Sequence, residues 1–162
     1  MNIGFWNVNG LCSKWSLPDV REFLKGFDIL CCVETWASTR SQFVMDGYES
    51  YEKINEKQNK FGRCPGGMII FVKEDINKFC NVRGIHSSLS GVMWLVLDLG
   101  IEGKHESLLF GAVYRQPRAS HLFKLDFLTM LENEMIGLLS QGFTYIIMGD
   151  FNCRIGELNV DE

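Results

Sequence analysis

Short apolar runs punctuate the chain, and several of them stop at polar residues. Residues 2–8 carry Ile3, Phe5, Trp6 and Val8 and end at Asn9-Gly10. Residues 27–33 (FDILCCV) are followed at once by Glu34-Thr35-Trp36, and residues 68–72 (MIIFV) form a third run. Near the end, Tyr145, Ile146, Ile147 and Met148 give way abruptly to Gly149-Asp150-Phe151-Asn152. Runs of this length, rich in Ile, Val and aromatic residues, predict buried strands. Val92 to Leu99 is apolar on both faces, as in a strand sandwiched between layers. A turn over Gly100 to Lys104 returns it as Leu108 to Tyr114, which predicts a hairpin. Tyr48 to Ile54 alternates like an exposed or edge strand.

Two stretches have helical spacing. Ser16 is placed to cap a first helix, with Pro18 early in its first turn, Asp19 three residues after the cap and Gly26 as its stop. Val20, Phe23 and Leu24 give it one apolar face. Ser120 is placed to cap a longer helix in which Leu122, Leu125, Leu128, Leu131, Met135 and Leu138 recur at three- and four-residue spacing, with Gly142 ending it. Residues 37–46 read as a loop, and residues 55–67 as a polar, glycine-rich connection carrying Lys57, Lys60 and Arg63. The order of strand, helix, several strands, helix, strand predicts sheets covered by helices on their outer faces. No repeat or linker divides residues 1–162, so one domain is expected.

Composition narrows the chemistry. With 162 residues, 46% of them hydrophobic, the chain is long enough to bury a real core. No apolar run approaches the ~20 residues that span a bilayer, and residues 1–10 lack the pattern of a secretory signal. The six cysteines form no CxxC pair and stand far in sequence from the three histidines, which argues against zinc. Adjacent Cys31 and Cys32 inside an apolar run suggest reduced core residues and an intracellular setting, nuclear or cytoplasmic. A net charge of −4 argues against a broad phosphate-neutralising face. Action on nucleic acid would need a local groove and a metal ion, and charge alone slightly favours a small or phosphorylated substrate over DNA.

The polar residues at the strand exits then matter together: Asn7 and Asn9, Glu34, Tyr114 and Arg115, Asp150 and Asn152. Each has an ordinary explanation. Asp150 and Asn152 suit an Asx turn, Asn7 a sheet edge, Glu34 a solvated loop, and Tyr114 a core ring with its hydroxyl at the rim. Their recurrence at successive strand ends is the informative point, because sites form where strand ends and their loops converge. Few carboxylates, with amides and a phenol, suit Mg²⁺, which takes oxygen ligands and keeps several waters.

The segments WNVNGL (6–11), DILCCVETW (28–36), GRCPGGMIIFV (62–72), VYRQP (113–117) and GDFNCRIG (149–156) resemble, in order, those of the endonuclease/exonuclease/phosphatase superfamily. ETW, the RxxGG-type stretch and DFNxRxG are most similar to the apurinic-type endonuclease domain of non-LTR retrotransposons. The resemblance implies a deoxyribonuclease-like four-layer α/β sandwich of two β-sheets with outer helices, incomplete at the C-terminus. Residues 1–162 would be its N-terminal two thirds. It implies Mg²⁺-dependent phosphodiester hydrolysis on DNA, with Mn²⁺ as a substitute and a reverse-transcriptase domain downstream. Glu34 falls on the family's metal-binding glutamate, and Asn7 on the asparagine that orients it and the phosphate. Tyr114 falls on the tyrosine that contacts the scissile phosphate. Asp150 matches the aspartate that positions or deprotonates the attacking water, and Asn152 the asparagine that steadies the transition state. Arg115 and Arg154 flank the site as DNA-phosphate contacts. Asn9 stands where some relatives carry aspartate.

One departure is expected to matter. The family's catalytic histidine lies in a Ser-Asp-His motif beyond the DFN segment, and residues 1–162 contain no such motif. His86, His105 and His121 stand in other contexts. Two other readings therefore stand beside the endonuclease: a phosphatase or lipid phosphodiesterase on the same scaffold, and a catalytically silent truncated chain.

Overall fold

The computed structural model describes residues 1–55, 64–101, 104–118, 120 and 123–153. The strand-forming runs assemble into two four-stranded sheets. In the first, β1 (Ile3–Asn7), β2 (Ile29–Val33), β3 (Tyr48–Lys53) and β4 (Met68–Lys73) lie in the order β1-β2-β4-β3. The second orders β5 (Arg83–Ile85), β6 (Val92–Ile101), β7 (Lys104–Tyr114) and β8 (Thr144–Asp150) as β5-β6-β7-β8. Each sheet has one parallel pair, β1 with β2 and β7 with β8, and the other pairings are antiparallel. The β6–β7 hairpin forms in register, Val92 opposite Val113 and Ile101 opposite Lys104.

Side-chain alternation explains the layers. Ile29, Cys31 and Val33 of β2 and Met68, Ile70 and Val72 of β4 point one way, onto Met93, Leu95, Leu97, Phe110 and Ala112 of the other sheet. This is the inter-sheet core. The opposite face of the first sheet (Leu30, Cys32, Ile69, Phe71) is covered by Leu24 of α1 (Pro18–Leu24) and by Phe43 and Met45 from the loop before β3. The opposite face of the second (Trp94, Val96, Leu109, Val113) lies beneath α3 (Phe127–Leu139), through Phe127, Leu131 and Leu138. The order is helix, sheet, sheet, helix, the four-layer α/β sandwich. Burial pushes the Cys32 thiol up to about 12 and Cys31 well above its usual range, so both stay protonated.

Several local expectations are corrected. Helix α1 has Leu17 as its N-cap and Pro18 in its first turn, so Ser16 does not cap it. Helix α3 begins at Phe127 after Asp126, and Ser120 lies before it, its hydroxyl donating to Gln116 Oε1 at 3.5 Å. Leu125 therefore precedes the helix and is 82% exposed, while Leu122 lies outside the described residues. The leucine spacing is helical, but the buried stripe runs from Phe127 to Leu131 to Leu138, and that face is what packing selects. Two short elements were not anticipated: α2 (Glu74–Phe79), with no buried residue, and β5. Strand β8 is less buried than its apolar sequence suggests, with Tyr145 and Ile146 exposed, because among the described residues it pairs only with β7. Most of the glycine-rich connection after β3, residues 56–63, lies outside the described residues.

Candidate active site

The parallel pairs β1/β2 and β7/β8 bring four strand exits to one end of the sandwich. Alternation fixes which side chains arrive there. Ile3 and Phe5 pack on the inter-sheet core, so Asn7, in phase with them, points into the same layer. Phe110 and Ala112 place Tyr114 likewise, and Met148 places Asp150. The site is the polar end of the core slab, where apolar side chains stop and amides, carboxylates and a phenol take over.

Among the described residues, two side-chain to side-chain contacts cross the seam between the sheets here, and beside them the Lys53 ammonium of β3 donates to the Ser87, Leu89 and Val92 carbonyls. The Tyr114 hydroxyl donates to Glu34 Oε1, joining the end of β7 to the residue after β2. Asn7 Nδ2 donates to Asp150 Oδ2 at 2.8 Å, joining the ends of β1 and β8. Around them the loops are laced. Asn9 N–H donates to Asn7 Oδ1 at 3.1 Å, and Asn152 N–H to Asp150 Oδ1 at 3.0 Å. Asn152 Nδ2 donates to the Arg115 carbonyl at 2.7 Å, and Arg115 N–H to the Asp150 carbonyl at 2.9 Å. The Asx turn is therefore present at Asp150 and Asn152, and the same residues also bind β8 to β7.

On the first sheet the backbone does most of the holding. Val8 N–H donates to the Val33 carbonyl at 3.0 Å, Gly10 N–H to Glu34 at 2.7 Å and Leu11 N–H to Thr35 at 3.1 Å. From the other side, Thr35 and Trp36 N–H donate to Gly67 and Gly66 at 3.2 and 2.9 Å. Gly67 is obligatory here: φ is +84°, and a Cβ would lie 2.6 Å from Thr35 Oγ1. The Lys14 ammonium donates to the carbonyls of Val8, Asn9 and Gly10 at 2.6, 2.9 and 3.3 Å, closing the β1 exit loop. Cys12 lies on the same loop, its thiol against the Thr35 and Trp36 carbonyls.

The Asp150 side is more open. A hollow of about 1320 Å³ is lined by Arg115, Arg118, Leu128, Asp150, Asn152 and Cys153. The Arg115 guanidinium sits 5.1 Å from the Phe123 ring centroid and donates to Cys153 Sγ at 3.2 Å. Its Nε is buried with no hydrogen-bond partner among the described residues.

Of the residues singled out in the sequence, Asn7, Asn9, Glu34, Tyr114, Arg115, Asp150 and Asn152 come together at this end. Arg154 lies outside the described residues, as does His121. His86 lies just past β5, at the edge of the second sheet opposite β8. Sequence reasoning missed Trp36 and Lys14. The tryptophan of the ETW segment was a visible signal, whereas a lysine six residues beyond Val8 gives none.

The donor set is a test of fit for a divalent cation. Carboxylate and amide oxygens gather here, with no sulfur or imidazole among the residues that cross the seam. Among the described residues no cluster of three or more His, Cys, Asp or Glu side chains is assembled to hold a metal. A carboxylate on each side of the seam, with amide oxygens beside them, fits a cation that keeps its waters and accepts one or two protein carboxylates, the manner of Mg²⁺.

With this geometry, the sequence comparison is decisive, since residues 4–158 match the Endonuclease/Exonuclease/phosphatase family. The chain belongs to that family. Among solved structures, the AP endonuclease LMAP from Leishmania major is similar, with a TM-score of 0.71 and 18% identity over 90% of this chain and 53% of that one. The Xenopus laevis APE2 catalytic domain gives 0.69 and 22% over 94% and 59%. The 3′ phosphatase NExo from Neisseria, bound to product DNA hairpin, gives 0.62 and 20% over 97% and 60%. At these identities the likeness is one of fold. The chain spans between half and two thirds of the length of these structures. No curated protein sequence matches it.

Proposed function

We propose that this family member carries the metal and water side of a Mg²⁺-dependent phosphodiesterase site acting on DNA, of the retrotransposon endonuclease type. The observation that carries the reading is the pair of contacts across the seam, Glu34 with Tyr114 and Asp150 with Asn7. Together they put a carboxylate on each bank and hold both in place.

Glu34 holds the cation, which supplies Lewis-acid stabilisation of the phosphate when bound. Asp150, held by Asn7 and the Asn152 N–H, takes the proton of the attacking water. Tyr114 reaches the scissile phosphate from the position where it now steadies Glu34, and Asn152 supports the developing charge with its amide. Arg115 and Arg118 face the hollow beside Asp150 and take phosphates flanking the scissile bond. The retrotransposon type rests on the ETW and DFNxRxG segments and implies a downstream reverse-transcriptase domain.

The test is nicking of supercoiled plasmid in Mg²⁺ by a protein extended through a Ser-Asp-His segment. Loss of nicking in both Glu34→Gln and Asp150→Asn is expected. Undiminished nicking by Glu34→Gln overturns the reading. The net charge of −4 favours a second reading, a phosphatase on the same scaffold. Release of inorganic phosphate from a small phosphate monoester, without cleavage of intact DNA strands, would select it.

A further inference from the structure

We propose that Trp36 is a positioning residue that aims the Glu34 carboxylate at the cation, a role that rests on the reading of Glu34 as the metal ligand. The turn after β2 is unusual. Glu34 and Trp36 both have left-handed backbones, at φ of +59° and +56°. Non-glycine residues rarely adopt this region, and for a bulky aromatic it is strained. Such a conformation persists only when its surroundings over-determine it. Here the Gly66 and Gly67 carbonyls hold the turn from one side and the Gly10 and Leu11 N–H groups from the other.

The strained turn folds the indole back toward Glu34 and over the β1 exit loop. Trp36 Nε1 donates to Glu34 Oε2 at 2.6 Å, a short charge-assisted bond. The six-membered ring lies over Gly10, at φ +92°, where a Cβ would overlap it. Packing alone does not account for this arrangement, because Trp36 is only half-buried and its N–H is directed at a carboxylate. Tyr114 donates to the other oxygen, Oε1, so Glu34 is fixed by two donors from two directions. Each carboxylate oxygen keeps a lone pair. A carboxylate held in this way is already ordered before a cation arrives. Losing a supporting contact of this kind typically lowers metal affinity by roughly 10- to 100-fold.

The 162-residue chain itself is titrated with Mg²⁺. Calorimetry is run on the parent, on Trp36→Phe, which keeps an aromatic ring over Gly10 but has no N–H, and on Glu34→Gln. In parallel, the indole N–H resonances of the four tryptophans are followed by NMR, the Trp36 signal being the one absent from Trp36→Phe. Trp36→Phe is expected to bind Mg²⁺ roughly 10- to 100-fold more weakly. In the parent, the Trp36 indole signal should shift with the same midpoint as the heat, and in Glu34→Gln it should not respond. Glu34-dependent heat with a stationary Trp36 signal overturns the proposal, as does unchanged affinity in Trp36→Phe. The NMR reading uses the unmutated chain and holds even if Trp36→Phe folds poorly. Should Glu34→Gln bind Mg²⁺ as tightly as the parent, the metal reading itself falls, and this proposal with it.

Discussion

The two banks of the seam are built differently. On the Glu34 bank the backbone is laced from both sides, with strained residues held by loop carbonyls and an ammonium closing the β1 exit. On the Asp150 bank the strand is half-exposed, the neighbouring hollow is open, and side chains supply the cross-links. A cation ligand profits from rigidity, since ordering it on binding would reduce affinity. A group that serves a water beside an incoming substrate needs access. The contrast is what a division of labour between the banks would produce.

The largest effects test that division directly. Glu34→Gln should weaken Mn²⁺ binding by more than the roughly 100-fold that marks the upper range for supporting residues, while Asp150→Asn should change it little. Isothermal titration decides the matter, and equal losses would erase the distinction between the banks. For strand cleavage the order changes. Asp150→Asn should lower the nicking rate of the extended protein by roughly 10²- to 10⁴-fold, the range of a general base, with metal affinity retained.

The next effect is on stability. Gly67→Ala forces a side chain into a left-handed position against Thr35 Oγ1 and should cost about 1–3 kcal/mol in urea. It should weaken Mn²⁺ binding as well. Asn152→Gly, on the open bank, suits the φ of +45° there, removes the bond to the Arg115 carbonyl and should cost only about 0.5–1.5 kcal/mol. If the two costs prove equal, the first bank is no stiffer than the second.

The smallest effect lies away from both banks and serves as a control. Asp28 sits against Lys73 Nζ at 2.8 Å and the Asn2 N–H at 2.6 Å, which hold its carboxyl below the usual range. A lowered folded pKa contributes stability that is fully present above the unfolded value, about 3.9, and is lost as pH falls through the folded one. Asp28→Asn should therefore flatten the acid side of the stability profile and leave Mn²⁺ affinity unchanged.

Much of this architecture was legible in strand phase. Apolar alternation in residues 3–7, 29–33, 108–114 and 145–150 sets which face Asn7, Tyr114 and Asp150 share, so the site follows from the same pattern as the core. Phase does not reveal how many neighbours cover a strand, which is why β8 reads as buried and is not. Helical spacing likewise cannot say which of two overlapping leucine stripes meets a sheet, and Phe127 decided that by packing where Leu125 did not. Capping by Ser16 and Ser120 was a local inference that the real helix starts overrode. The Trp36 contact was hidden for another reason: it depends on backbone angles that tryptophan rarely adopts.

The distribution of thiols has a practical consequence. Cys31, Cys32 and Cys64 are buried, and Cys80 is partly covered with its thiol pushed up by burial. Cys12 and Cys153 are exposed, one on the loop behind Glu34 and the other beside Asp150. Under mild conditions a thiol-directed spin label or fluorophore should reach these two first. The natural sequence thus carries a pair of attachment points on opposite sides of the cleft. Distances between probes placed there would report opening or closing of the seam as cation and oligonucleotide are added, without introducing a cysteine.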